Sequence, residues 1–201
     1  MWGLTLFLVG NITSADVTVC MRKLRYLQAG ACYHVTIRTN RKELLLRSVI
    51  ARDLLVTAIV HCQEKHQFVL DNFCIMENHL HLLITPGQPT NLSCIMKWLL
   101  GVYTLRYNKK FETSGRIWGG RYYSRQIRHF QDYILTNQYI DHNPVKAGLA
   151  THCRDWSWSA CHHRSHGNRL LVSDLPAWLL MYLPEHCQLA LPSSMGSDSS
   201  S

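Results

Sequence analysis

The sequence predicts an α+β sandwich on a mainly antiparallel sheet, and three observations carry that reading. Stretches of period-two alternation and stretches of 3-4 apolar spacing follow one another in the order β-α-β-β-α-β, with one more helix behind them. Two apolar strands are separated only by Glu77 and Asn78, which fits a tight hairpin and hence antiparallel pairing. With 47% hydrophobic and 17% charged residues over 201 positions, the chain has the apolar material for one real core, which excludes disorder of the whole.

Cys32 to Arg38 (CYHVTIR) alternates residue types and is rich in β-formers, so it is the first strand. Between Arg41 and Gln63, apolar residues at 45, 49, 56, 59 and 60, widened by 46, 50 and 55, make a broad helical stripe. Phe68 to Met76 is the second strand and His79 to Ile84 the third. Thr90 and Asn91 are placed to cap a helix over Ser93 to Tyr107, whose apolar positions recur at 3-4 spacing. Gly115 to Ile127 (GRIWGGRYYSRQI) reads as a fourth strand bent at its glycines. The last helix runs from Phe130 to His142 and is expected to stop before Pro144, because a residue that precedes proline is pushed out of the helical region. Asn143, Pro144 and Gly148 then mark one short extra turn: cap, first position, exit.

At the N-terminal end, Trp2 to Val9 is apolar for too few residues to span a bilayer, which takes roughly 18. No Lys or Arg precedes it, so the positive n-region of a signal peptide is missing, and Met21 opens a basic run (MRKLRY) that reads as an alternative start of translation. Pro192 to Ser201 has nothing to bury and is expected to be a disordered tail. The resulting division is an N-terminal extension over 1–28, a main domain over 29–162, a C-terminal extension over 163–191 and a tail over 192–201.

The chain carries 21 Lys+Arg against 13 Asp+Glu, a formal charge of +8, so its field attracts polyanions: nucleic acid first, anionic membrane as the rival. Its eight cysteines form no C-x-x-C pair and sit largely in apolar stretches, which suits reduced thiols of a cytoplasmic protein. The segment Thr151 to His166 gathers His152, Cys153, Cys161, His162, His163 and His166, but at spacings that match no closed zinc site, and it reads as a polar surface loop.

Three groups of residues carry chemistry. In His79-Leu80-His81 the two imidazoles project from one face of an apolar strand, half of a divalent-metal site, and burying them is costly unless each finds a partner. Tyr139 and Asn143 in QYIDHNPVKAG lie four apart, so a phenol and a carboxamide share one helix face. In Arg116, Arg121, Tyr122, Tyr123, Arg125 and Arg128, cations and rings interleave, the pattern that holds phosphates and unstacked bases of single-stranded nucleic acid.

The blocks ACYHVTIR, FCIMENHLHLLITP, GRIWGGRYYSRQI, YIDHNPVKAGL and DWSWSAC, in this order, resemble the single-tyrosine HUH transposases, above all the REP-associated tyrosine transposases. The resemblance spans roughly Gly30 to Cys161 and implies a ferredoxin-like sandwich, an antiparallel sheet with helices on one face. It implies that His79 and His81 are ligands of Mg²⁺ or Mn²⁺, Asn143 the third ligand and Tyr139 the nucleophile, with single-stranded or hairpin DNA as the partner bound by Arg116, Arg121, Tyr122, Arg125 and Arg128. Tyr139 would form a 5′-phosphotyrosine and pass the strand on. Relatives act both as monomers and as homodimers whose tyrosine helix docks on the partner. Two departures stand out: Glu77 replaces the usual proline and adds a negative charge near the histidines, and Asn143 is a shorter amide than the usual Gln. A non-cleaving hairpin-binding protein of the same fold and a metal-dependent hydrolase are the competing readings.

Overall fold

The computed structural model describes residues 27–28, 30–168 and 170–186; the readings of Met21 and of both chain ends lie outside them. Four strands, β1 (Tyr33–Arg38), β2 (Phe68–Ile75), β3 (His79–Pro86) and β4 (Tyr123–Gln126), form one sheet in the order β2-β3-β1-β4. Every neighbouring pair is antiparallel. The helices are α1 (Val49–Lys65), α2 (Leu92–Phe111), α3 (Phe130–Lys146), α4 (Ala160–Ser165) and α5 (Ala177–Leu180). None of them is long and apolar enough to cross a membrane.

Helix α1 starts at Val49, later than its apolar stripe suggests. Thr39 donates its hydroxyl to the carbonyls of Glu43 (2.6 Å) and Asn78 (3.1 Å), which holds the chain in a turn, and the Ser48 hydroxyl then caps the helix by accepting from the Ala51 N–H (3.1 Å). Leu46, ahead of the helix, is still fully buried in the core. Asn91 caps α2 as expected, accepting from the Cys94 N–H at 3.0 Å. The expected fourth strand shrinks to Tyr123–Gln126; its first half forms a bridge between Thr39 and Trp118 in place of a ladder. There Gly119 packs so closely that a Cβ would stand 2.9 Å from the Thr39 carbonyl oxygen.

Alternation along the strands separates two faces. Tyr33, Val35 and Ile37 of β1 with Leu80, Leu82 and Ile84 of β3 point into the main core, which α1 and α2 cover. Helix α3 lies on the opposite face, where Asn72, Cys74, His81 and Leu83 point. Not all helices share one face, therefore: a face this rich in polar side chains needs a helix that brings polar partners to it.

Helix α3 also runs through Pro144 rather than ending before it. Pro144 sits in the last turn, where it brings no N–H for the Ile140 carbonyl, and Asn143 is helical instead of a cap. The exit is at Gly148, as expected: at φ +68° its N–H reaches the Val145 carbonyl (3.0 Å) while Leu149 N–H reaches that of Pro144 (2.9 Å).

The segment after residue 162 is built into the body, since Leu171 and Val172 belong to the main core and Leu179 and Leu183 pack with Ile134 of α3. The His-rich stretch expected as a surface loop folds into a 3-10 turn (Cys153–Asp155) and α4, with Cys153 and Cys161 buried. The DWSWSAC block has a packing role: Arg52 is held between the rings of Trp156 and Trp158, 4.5 and 4.4 Å from their centroids.

Candidate active site

Register assembles the site. Thr36 of β1 stands opposite His81 of β3 and Tyr123 of β4, and His34 stands opposite Arg125, so these side chains emerge on one face of three adjacent strands. His79, two residues before His81, joins them, and its ring meets that of His81 edge-on with centroids 4.9 Å apart.

The hydrogen bonds settle which imidazole atoms are left for a ligand. Asn78 donates its amide to the Lys42 carbonyl (3.1 Å), which turns its Oδ1 toward His79 Nδ1 at 2.7 Å. His79 therefore donates through Nδ1 and keeps its lone pair on Nε2. His81 is only 2% exposed; its Nδ1 lies 3.1 Å from both His34 Nε2 and Thr36 Oγ1, while its Nε2 is buried with no partner. Burial pushes His34 and His79 down to about 4, helped by Arg125 and Arg38 respectively. Burial, then the neighbouring His79, His34 and Arg38, pushes His81 to about 2. All three rings are neutral at neutral pH, the form that binds a metal.

Tyr139, on α3, is 45% exposed, and its ring stands edge-on to His81 and His34 with centroids 5.5 and 5.9 Å away. Lys146 Nζ lies 5.7 Å from the same ring's centroid. Between α3 and the sheet opens a cleft of about 550 Å³ whose walls include His34, Thr36, Arg38, His81, Arg125 and Tyr139.

Other expected site residues are placed differently. Asn143 does not line this cleft; its amide donates to the Tyr139 carbonyl at 2.6 Å, one turn back on its own helix. Tyr122 is a core residue, 8% exposed, its hydroxyl 3.3 Å from Ser93 Oγ, and so cannot stack on a base; its neighbour Tyr123 is 64% exposed and can. Arg125 lines the cleft and donates to Thr136 Oγ1 (3.0 Å) on α3. Arg121 lines a second cleft, and Arg116 and Arg128 are exposed but line neither. The Glu77 carboxylate faces Arg47 (3.4 Å) and Arg52 (3.9 Å), so its charge is taken up on the α1 side of the hairpin.

His34, Thr36, Arg38 and Lys146 escaped the sequence reading. The available signal was the alternation of CYHVTIR, which puts His34, Thr36 and Arg38 on one face of an otherwise apolar strand.

The model of the family described as "Transposase IS200 like" matches residues 28–143. A putative REP-associated tyrosine transposase of Haemophilus influenzae is 31% identical over 110 residues, which cover 49% of this chain and 62% of that protein. The match thus spans somewhat less than two thirds of that relative's length. A REP-associated tyrosine transposase of Escherichia coli is 25% identical over 138 residues, 68% of this chain and 79% of that protein. Among solved structures, a REP-associated tyrosine transposase bound to a REP hairpin shares the fold, with a TM-score of 0.63 at 24% identity over 78% of this chain and 95% of that one. Since the family model covers more than half of the chain and takes in the histidine pair and Tyr139, the chain belongs to the IS200-like transposase family.

Proposed function

We propose that this chain cuts and rejoins single-stranded or hairpin DNA through a covalent 5′-phosphotyrosine on Tyr139. The observation that carries the reading is the approach of the Tyr139 ring to His81 and His34 across an open cleft, next to a buried imidazole nitrogen without a partner. The REP hairpin bound by the solved relative supports hairpin DNA as the form of substrate.

The two histidines fit a divalent ion. Each engages Nδ1 with a neighbour and leaves Nε2 free, the arrangement in which outer hydrogen bonds orient metal-bound imidazoles. Mg²⁺ or Mn²⁺ held by His79 and His81 would withdraw charge from a non-bridging phosphate oxygen as a Lewis acid. Asn143 donates through Nδ2 to the Tyr139 carbonyl, so Oδ1 is the atom it would offer as the third ligand.

The chain's own residues account for the rest. Tyr139 is exposed enough to meet a phosphate entering the cleft, and Lys146 beside its ring adds a cation that a phosphate can meet there. Arg38 and Arg125 supply positive charge at the walls. Tyr139 Oη forms a bond to phosphorus, the bond to the 3′-oxygen breaks, and the 3′-hydroxyl leaves with a proton. The ester keeps the energy of the broken bond, so another 3′-hydroxyl reverses the step without ATP.

Incubation with hairpin DNA and Mn²⁺ tests this. The expected product is a protein–DNA adduct that survives denaturation and is missing in Tyr139→Phe. Adduct formed by Tyr139→Phe overturns the nucleophile; binding without an adduct points to a non-cleaving hairpin binder, and cut DNA without an adduct to a hydrolase.

A further inference from the structure

A second cleft, of about 450 Å³, opens beside the first and shares Thr36, Arg38 and Tyr123 with it, so the two form one continuous trough. Arg38, Arg41, Lys42 and Arg121 line it without any carboxylate, and none of the four is in an ion pair among the described residues. Four cations gathered this way repel one another and suit a bound polyanion.

The wall that carries them is firmly held. Arg41 (φ 51°) and Lys42 (φ 60°) sit in left-handed turn positions that side chains other than glycine seldom adopt. The turn is fastened by Asn40 N–H to the Ile117 carbonyl (2.7 Å) and Gly119 N–H to that of Arg38 (2.9 Å). Asn78 couples this wall to the candidate metal site, since one carboxamide bonds both the Lys42 carbonyl and His79 Nδ1. On the divide between the two clefts stands the exposed ring of Tyr123.

We propose that this groove is the track of the single strand as it leaves the cleavage point, with Arg38, Arg41, Lys42 and Arg121 on its phosphates and a base stacked on Tyr123. The proposal rests on the strand-cleaving reading above. It adds Arg41 and Lys42, from the turn after β1, to the cations that meet the DNA. Arginine forks and a lysine point charge satisfy phosphates whatever the sequence, while Tyr123 requires an unstacked base, so the groove selects single strands over duplex.

Binding of fluorescein-labelled oligothymidylate, followed by anisotropy across a salt series in a Tyr139→Phe background, reads the groove without chemistry. Arg41→Ala, Lys42→Ala and Arg121→Ala combined should weaken binding about tenfold or more. They should also flatten the dependence of log affinity on log salt by about 2, at about 0.7 per phosphate contact on single strands. Tyr123→Ala should weaken binding about tenfold with the salt slope kept. A blunt duplex of equal length should lose much less in every variant. Unchanged affinity and slope for oligothymidylate, or equal losses on duplex, overturn the groove. If instead the groove variants behave as expected while the unmodified chain forms no adduct, the strand-cleaving reading fails and the groove stands.

Discussion

Tyr139 and Asp141 are two residues apart on α3, and each has a polar cluster of the sheet beneath it. Asp141 is 3% exposed; its Oδ2 accepts from His186 Nε2 at 2.8 Å and its Oδ1 from Asn72 Nδ2 at 2.9 Å. Arg164 donates to His186 Nδ1 (3.1 Å), to the Ser173 carbonyl (2.9 Å) and to the Asp71 carbonyl (2.7 Å). Donor meets acceptor nearly throughout, with only Asn72 Oδ1 unpaired, and the result fastens α3 to β2 and to the segment after α4. Beneath Tyr139, the neutral imidazoles of His34 and His81 crowd together with Arg38 and Arg125, His79 stands edge-on to His81, and the buried His81 Nε2 has no partner. A cluster paired within itself is a clamp, whereas one that buries an uncompensated lone pair gives up stability and is completed by a ligand.

The strongest test of this contrast is at the chemistry. Tyr139→Phe should lower adduct formation by at least about a thousandfold, while its urea midpoint moves little, since the side chain is half exposed. Asp141→Ala should show the opposite signature: a loss of about 3–5 kcal/mol in urea unfolding, because His186 and Asn72 would stay buried without their acceptor and the buried Arg164 without a neighbouring negative charge. A variant at Asp141 with unaltered stability would erase the distinction between the clusters.

A smaller effect concerns the ligand. Mn²⁺ at a hundred times its dissociation constant should stabilise the chain by about 2.7 kcal/mol in thermal unfolding. His79→Ala with His81→Ala should abolish that gain, and equal gains in parent and double variant would remove the histidines from the metal site. Smallest, counted per ring and per pH unit, is the response to acid in the presence of EDTA. His34 and His79 are lowered to about 4 and His81 to about 2, so between pH 6.5 and 4 the unfolded chain binds protons that the folded chain refuses. Their share of stability is complete above pH 6.5 and is lost as pH falls. The slope is at most about 1.4 kcal/mol per pH unit for each buried ring and less for the more accessible His79. His34→Gln with His81→Gln should flatten the pH dependence of the urea midpoint; an unaltered slope would mean that the rings do not resist protonation.

Most of the sheet was legible, because β1, β2 and β3 each announce themselves by alternation within a few residues. The start of α1 was harder to read: Leu45 and Leu46 continue its apolar stripe, but the Thr39 hydroxyl bonds reach a hairpin far along the chain. Pro144 was misread because the preference of the residue before a proline is a local bias, which the helix overrides and then ends at Gly148. At the site, the histidine pair and Tyr139 could be found from the sequence, whereas Tyr122 and Tyr123 were not separable. Adjacent strand residues point to opposite faces, and only the assembled sheet shows which face is the core.

The sequence by itself determined the order of the elements, the shared face of His79 and His81, the presence of Tyr139 in a late helix and the basic surplus. These follow from covalent geometry and composition, which act locally. Only the tertiary structure decided that His34 and Thr36 lie against His81, that Asn143 turns to its own helix, that α3 covers the second face, and that Arg38, Arg41, Lys42 and Arg121 line one trough. Such contacts join positions tens of residues apart through strand register and helix docking. Register is set by burial of a whole face at once, so no single stretch of the chain encodes it.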